Sequence, residues 1–206
     1  MAKLNWNFVG WIYQDGVTHL RGTFESASEG IKHRAQEAYR AVDEYDVEIA
    51  AGAPRQVERT EEGDIISDYR DVLLYHTETA EDAMWALNKA FAIAMYHHWE
   101  RSARDWTLKE HGGFDKLVPA VEKCGYPISP KLATLNCVVN LLKHANPKDG
   151  VALYKERPDL FRRHFDTSSG RFEWYEEVRL TDEHIAEFFD VLAASGPTGT
   201  MVFGRE

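Results

Sequence analysis

At 206 residues, with 44% hydrophobic and 12% aromatic residues, the chain holds enough apolar material for a packed interior, which sets intrinsic disorder aside. Its formal charge of −10 excludes a general coat for nucleic acid, because such binding depends on Lys and Arg neutralising phosphates; only a local basic site is left open. The length predicts one domain over 1–206, and the patterns below predict an all-α bundle of about five or six helices with minor β or irregular segments.

The first residues, MAKLNWNFVGWIYQDG, lack the basic, apolar and cleavage regions of a signal peptide. No stretch approaches the roughly 20 apolar residues of a membrane span, so a soluble, cytoplasmic protein with no membrane partner is expected. Cys124 and Cys137 have no CxxC spacing and read as reduced packing residues. Aromatic and β-branched residues around Gln14-Asp15-Gly16 predict a short hairpin or an irregular arm through Arg21. Over 25–51, Ile31, Ala35, Ala38, Tyr39, Val42, Tyr45 and Ile49 recur at spacings of three and four, which predicts a first long helix.

Gly52, Pro54 and the charged run 58–64 predict a flexible loop near 52–64. Residues 65–75 lead into Thr77, which with the following acids marks the start of a second long helix over 80–106, free of Gly and Pro. Gly112 and Gly113 follow it. A short helix is predicted over 114–123, another over 131–145, and a third from Pro147 through Lys155. Residues 171–180 read as a strand. Thr181-Asp182-Glu183 caps a last amphipathic helix carrying Ile185, Phe188, Phe189, Val191 and Leu192, which ends at Ser195-Gly196-Pro197 and leaves a flexible tail near 196–206.

Two helix faces carry candidate chemistry. On the second long helix, the stripe of Ala86, Ala90 and Ile93 continues as His97, Glu100, Arg101 and Arg104, so an apolar face turns polar. Such a face can form the charged floor of an interhelical cleft; equally, Glu100 and Arg104 can be an ordinary i, i+4 ion pair beside a half-exposed His97. On the helix over 131–145, Asn136, Asn140, Lys143 and His144 line one side, and Leu135, Val138, Val139 and Leu142 the other. Asn disfavours helix interiors, so Asn136 and Asn140 point either to function or to side chains satisfied by packing. Antiparallel docking of the two stripes would set an acid/base imidazole beside cations able to hold a phosphate. The basic run Arg157, Arg162, Arg163 and His164 would extend that site along a phosphodiester backbone, or form a surface turn beside Pro158 and Phe161.

The hexapeptide Val139-Asn140-Leu141-Leu142-Lys143-His144 resembles the HEPN motif, an Arg followed by a polar residue often Asn, three further residues and a His. The resemblance implies a helical bundle with the motif on a late helix. It also implies a metal-independent ribonuclease without cofactor, of the kind found in toxin-antitoxin, abortive-infection and other defence systems, working as a homodimer on RNA. It carries Asn140 and His144 over as the polar and catalytic positions. Val139 stands where the family has Arg, so Lys143 or Arg101 would provide the positive charge, with His144 or His97 moving the proton and Arg104, Asn136, Arg162 and Arg163 contacting substrate. Failing that, the likeness implies a catalytically silent binding or sensor module that dimerises or holds a protein partner. A metal site from His97, Glu100 and His144 is a further reading, weakened by the lack of a second Glu-x-x-His pair.

Overall fold

Two helices far longer than the roughly 10–14 residues typical of globular proteins dominate the chain: α1, Phe8–Ala50, with 43 residues, and α2, Tyr69–Thr107, with 39. A computed structural model describes residues 4–5, 7–162, 173–199 and 202–203. Among them the remaining helices are α3 Phe114–Lys123, α4 Leu132–His144, α5 Pro147–Glu156, α6 Trp174–Glu177 and α7 Asp182–Ala193. Two small antiparallel pairs add minor β structure: β1 Leu4–Asn5 with β4 Val202–Phe203, and β2 Val57–Arg59 with β3 Ile65–Asp68. The fold is all-α, as the helical periodicities predict. No helix among the described residues is long and apolar enough to cross a membrane.

The chain divides into two compact units, Phe24–Leu87 and Met1–Thr23 with Asn88–Glu206. Both boundaries of the division fall inside unbroken helix, within α1 and α2, so no linker composition marks them in the sequence. In the first unit the later part of α1 runs antiparallel to the start of α2. Val42, Tyr45 and Leu73 form its small core, joined by Ala41, Ile49 and Leu74. Arg70 grips Asp46 through two bonds of 2.8 and 2.9 Å, and Tyr39 donates to Glu81. That bond to Arg70 holds the Asp46 carboxyl below its ordinary range.

The loop expected near 52–64 contains β2 and the turn of a β-hairpin. Glu58 pairs with Ser67, and Gly63 supplies the left-handed turn conformation at φ 94°. Helix α2 begins eleven residues before the predicted 80, because Asp68 already caps it, accepting from the Arg70 N–H at 3.0 Å while ion-paired with Arg55.

In the larger unit, Tyr13, Met95, Trp99, Leu117, Leu135, Leu141, Leu160, Trp174 and Phe188 build the core. The arm or hairpin expected through Arg21 is instead the first part of α1. Asn7 caps it by accepting from the Gly10 N–H at 3.1 Å. Gly16, read as a turn signal, serves a close approach: a Cβ there would lie 2.3 Å from the His98 imidazole. Tyr13 donates to the Leu192 carbonyl at 2.6 Å, and Gln14 to those of Ala193 and Pro197 at 3.0 and 3.1 Å, so α1 satisfies the last carbonyls of α7. Residues 195–197, expected to open a loose tail, are buried against this contact.

Helices α3, α4, α5 and α7 fall where the sequence places them, with Asn146 and Thr181 as caps. The strand expected over 171–180 is not formed in its described part: Trp174–Glu177 makes a single helical turn, and only Val178 bridges, to Phe161. Trp174 is the cause, since its indole is buried against α5. Arg163, His164 and residues 171–172 lie outside the described residues.

Candidate functional site

The polar stripe of α2 is real but already partly engaged. Arg104 bonds the Glu100 carboxylate at 2.8 Å and the carbonyls of Glu110 and Gly112 at 3.1 Å each, so its guanidinium ties down the turn that follows the helix. His97 is exposed and pairs with Glu100 at 3.4 Å. Arg101 is exposed, with no hydrogen bond or ion pair among the described residues.

On α4, Asn140 donates to Asn136 at 3.3 Å and both are half-buried. Lys143 and His144 stand exposed in the last helical turn, without partners among the described residues. The positive charge of Lys143 there complements the helix dipole, an ordinary structural role. Val139 is fully buried, so the position where the resembled motif has Arg belongs to the core.

Between the two stripes, Tyr96 of α2 is a buried phenol. Burial, then the charge of Glu100, pushes its phenol up to about 12; Asp115 and the Cys137 thiol of α4 add to this, and Arg104 opposes. No hydrogen bond or ion pair among the described residues joins His97, Glu100, Arg101 or Arg104 to Asn136, Asn140, Lys143 or His144. Nor do the described residues hold a group of three or more His, Cys, Asp and Glu arranged for a metal, so the His97, Glu100 and His144 reading gains nothing. The basic run is not continuous either. Arg157 is gripped by Asp159 at 2.7 Å and Glu187 at 2.9 Å, which raises its pKa further, and Lys131 shares Glu187 at 2.8 Å. Arg162 is exposed, its backbone N–H donating to the Glu177 carbonyl.

One histidine that sequence reasoning passed over is His98. Its ring stacks on Tyr13 at 5.1 Å and faces the Tyr13 carbonyl through Nε2 at 3.2 Å, so the neutral ring donates there. The signal was available: position 98 follows buried Met95 by three and partly buried Phe91 by seven. Burial lowers the His98 pKa; the Tyr13 bond opposes this and nearby Arg101 reinforces it. As pH falls below the unfolded value of about 6.5, the unfolded chain takes up a proton that folded His98 resists, so its contribution to stability declines. Urea unfolding of wild type should therefore weaken between pH about 7.5 and about 5.5, and His98→Phe should flatten part of that slope. An unchanged slope in the variant would remove His98 as a source of acid sensitivity.

Three concavities accompany these groups. One of about 430 Å³ in the larger unit is lined by Trp106, Lys109, Lys116, Lys123 and Cys124, with no carboxylate on its walls. In the hairpin unit, one of about 460 Å³ lies between α1 and α2, walled by Ala38, Ala41, Ala80 and Ala83 with Arg34 and His76 at its edge. A shallower one of about 300 Å³ is bounded by Ile66, Asp71, Val72 and Tyr75. Compared with known proteins, the chain matches no family model, no curated protein and no solved structure.

Proposed function

We propose that the chain is a catalytically silent helical binding module whose partner-facing surface belongs to the hairpin unit. The observation that carries this is the row Ile66, Val72 and Tyr75, which share one concavity at the end of β3 and the first turns of α2. These large apolar side chains are open to solvent, Ile66 at 61% and Tyr75 at 65%. Scattered exposed apolar residues need no explanation, but a contiguous row of this kind marks an interaction surface. Catalysis has weaker support. The motif Arg position is core Val139, Arg104 is committed to its own turn, and no hydrogen bond among the described residues orients His144.

The second reading, a HEPN-like protein acting on RNA, is favoured by the carboxylate-free concavity with three lysines and by Lys143 and His144, exposed and without partners among the described residues. In it, His144 or His97 takes the proton of a ribose 2′-hydroxyl as that oxygen attacks phosphorus, the 5′-oxygen leaves with a proton, and Lys143 or Arg101 stabilises the phosphorane-like transition state. Two copies would bring two motifs together on one strand, as the resemblance implies.

One experiment separates the readings: incubation of a mixed, labelled RNA pool with folded wild-type and His144→Ala proteins in the absence of metal. The binding-module reading expects no cleavage by either. Cleavage by wild type that drops about 100-fold or more in His144→Ala would replace it with the nuclease reading.

A further inference from the structure

Charge is divided very unevenly between the two units. Residues 24–87 hold sixteen acidic and six basic residues, net −10, whereas the rest of the chain holds eighteen of each. The whole formal charge of the protein therefore resides in the hairpin unit. Its positive charge is also internally engaged near the exposed apolar row: Arg70 is held by Asp46, Arg55 by Asp68, and Arg59 by the Gly63 carbonyl.

The acids beside the row are not so engaged. Asp71, Tyr75, Glu78 and Asp82 follow one another along α2 at spacings of four, three and four, so they share one side of the helix. Asp71, Glu78 and Asp82 are exposed and have no hydrogen bond or ion pair among the described residues. Asp71 also forms a wall of the shallow concavity closed by Ile66, Val72 and Tyr75. Apolar anchors and exposed carboxylates thus lie side by side on one face; of the carboxylates, Asp71 feels the charge of Arg70, which is itself held by Asp46.

We propose that this face docks a Lys- and Arg-rich segment of a protein partner, its apolar side chains seated on Ile66, Val72 and Tyr75 and its cations against Asp71, Glu78 and Asp82. The inference rests on the binding-module reading and names the partner's chemistry. Charge decides among occupants. A second copy bound through the same face would set one net −10 unit against another, and a nucleic acid would bring phosphates to exposed carboxylates; both are repelled. A basic segment is attracted at long range, and the aliphatic stems of Lys and Arg also cover apolar surface.

The test uses full-length protein and fluorescein-labelled synthetic helical peptides read by anisotropy. One peptide carries Lys and Arg on one face and Leu on the other. A second keeps the cations and replaces Leu by Ser, and a third replaces the cations by Glu. Wild type is expected to bind the first most tightly, with affinity falling as salt rises. Val72→Ser with Tyr75→Ser should weaken that binding about tenfold or more. Asp71→Asn with Glu78→Gln and Asp82→Asn should weaken it and flatten the salt dependence. All five side chains are exposed, so circular dichroism should show both variants folded.

No binding of the first peptide, equal binding of the first two, or variants that bind as wild type does would overturn the proposal for this face. Concentration-dependent dimerisation abolished by Tyr75→Ser would overturn it in favour of a second copy, and RNA binding lost in that variant would overturn it in favour of nucleic acid. The binding-module reading fails separately, through His144-dependent RNA cleavage, an outcome that peptide anisotropy does not touch.

Discussion

Trp99→Ala is expected to lower the stability of the larger unit by about 3–5 kcal/mol, the range for removing a buried Trp or Phe. Trp99 is fully buried on α2, with the Phe114 ring 5.8 Å away and the Tyr96 ring 5.9 Å away. The lost transfer energy adds to the cavity left among rings that cannot close over it. Its indole N–H has no hydrogen-bond partner among the described residues, which separates two substitutions. Alanine leaves a void, whereas Trp99→Phe keeps most of the ring and removes an unsatisfied buried donor. Phenylalanine should therefore cost well under half as much as alanine. Urea unfolding followed by far-UV circular dichroism measures both; equal losses would show that the indole nitrogen is in fact satisfied.

Gly150→Ala should destabilise the protein by about 1–3 kcal/mol, against what helix propensity alone expects. Gly150 lies inside α5, where replacing Gly by Ala ordinarily gains up to about 1 kcal/mol. Here a Cβ would lie 2.4 Å from the buried Trp174 indole, a rigid ring held in the core. Gly30→Ala is the matched comparison. It is also within a helix, α1, but a Cβ there meets nothing within 4 Å, so it should gain about 0.4–1 kcal/mol. Opposite signs for one chemical change would show that contact with Trp174, not backbone freedom, fixes Gly150. A gain at Gly150 would mean that Trp174 moves aside at little cost.

Parts of the candidate site were legible for a simple reason: residues on one helix share a face wherever the helix goes. That is how the sequence placed Glu100 beside Arg104 and Asn136 beside Asn140, pairs that the structure bonds at 2.8 and 3.3 Å. What spacing cannot tell is which groups are already committed. Arg104 turned to the carbonyls of Glu110 and Gly112, and Arg157 to Asp159 and Glu187. His98 went inward to Tyr13 while His97, its chain neighbour, stayed exposed. The acidic face was missed for a related reason. The net charge was read for the chain as a whole, and its confinement to residues 24–87 emerges only once the two compact units are known.

The sequence by itself determined the all-α class and the spans of α3, α4, α5 and α7. Asn146-Pro147 and Thr181 start α5 and α7, Gly125 follows α3, and apolar spacing of three and four marks the inner side of α4. These features act over a turn or two of chain, within the reach of capping, propensity and periodicity. Tertiary structure alone decided the first part of α1, the helical turn at Trp174 and the hairpin at β2 and β3. Gly16 reads locally as a turn, yet it lies inside α1, where the space left by its missing Cβ is taken by His98, far along the chain. The segment around Trp174 reads locally as a strand, yet it coils because its indole packs on Gly150. At Gly16 and Trp174, contact between residues distant in sequence accompanies a departure from a local preference of about 1 kcal/mol or less per residue, which no short window of sequence can reveal.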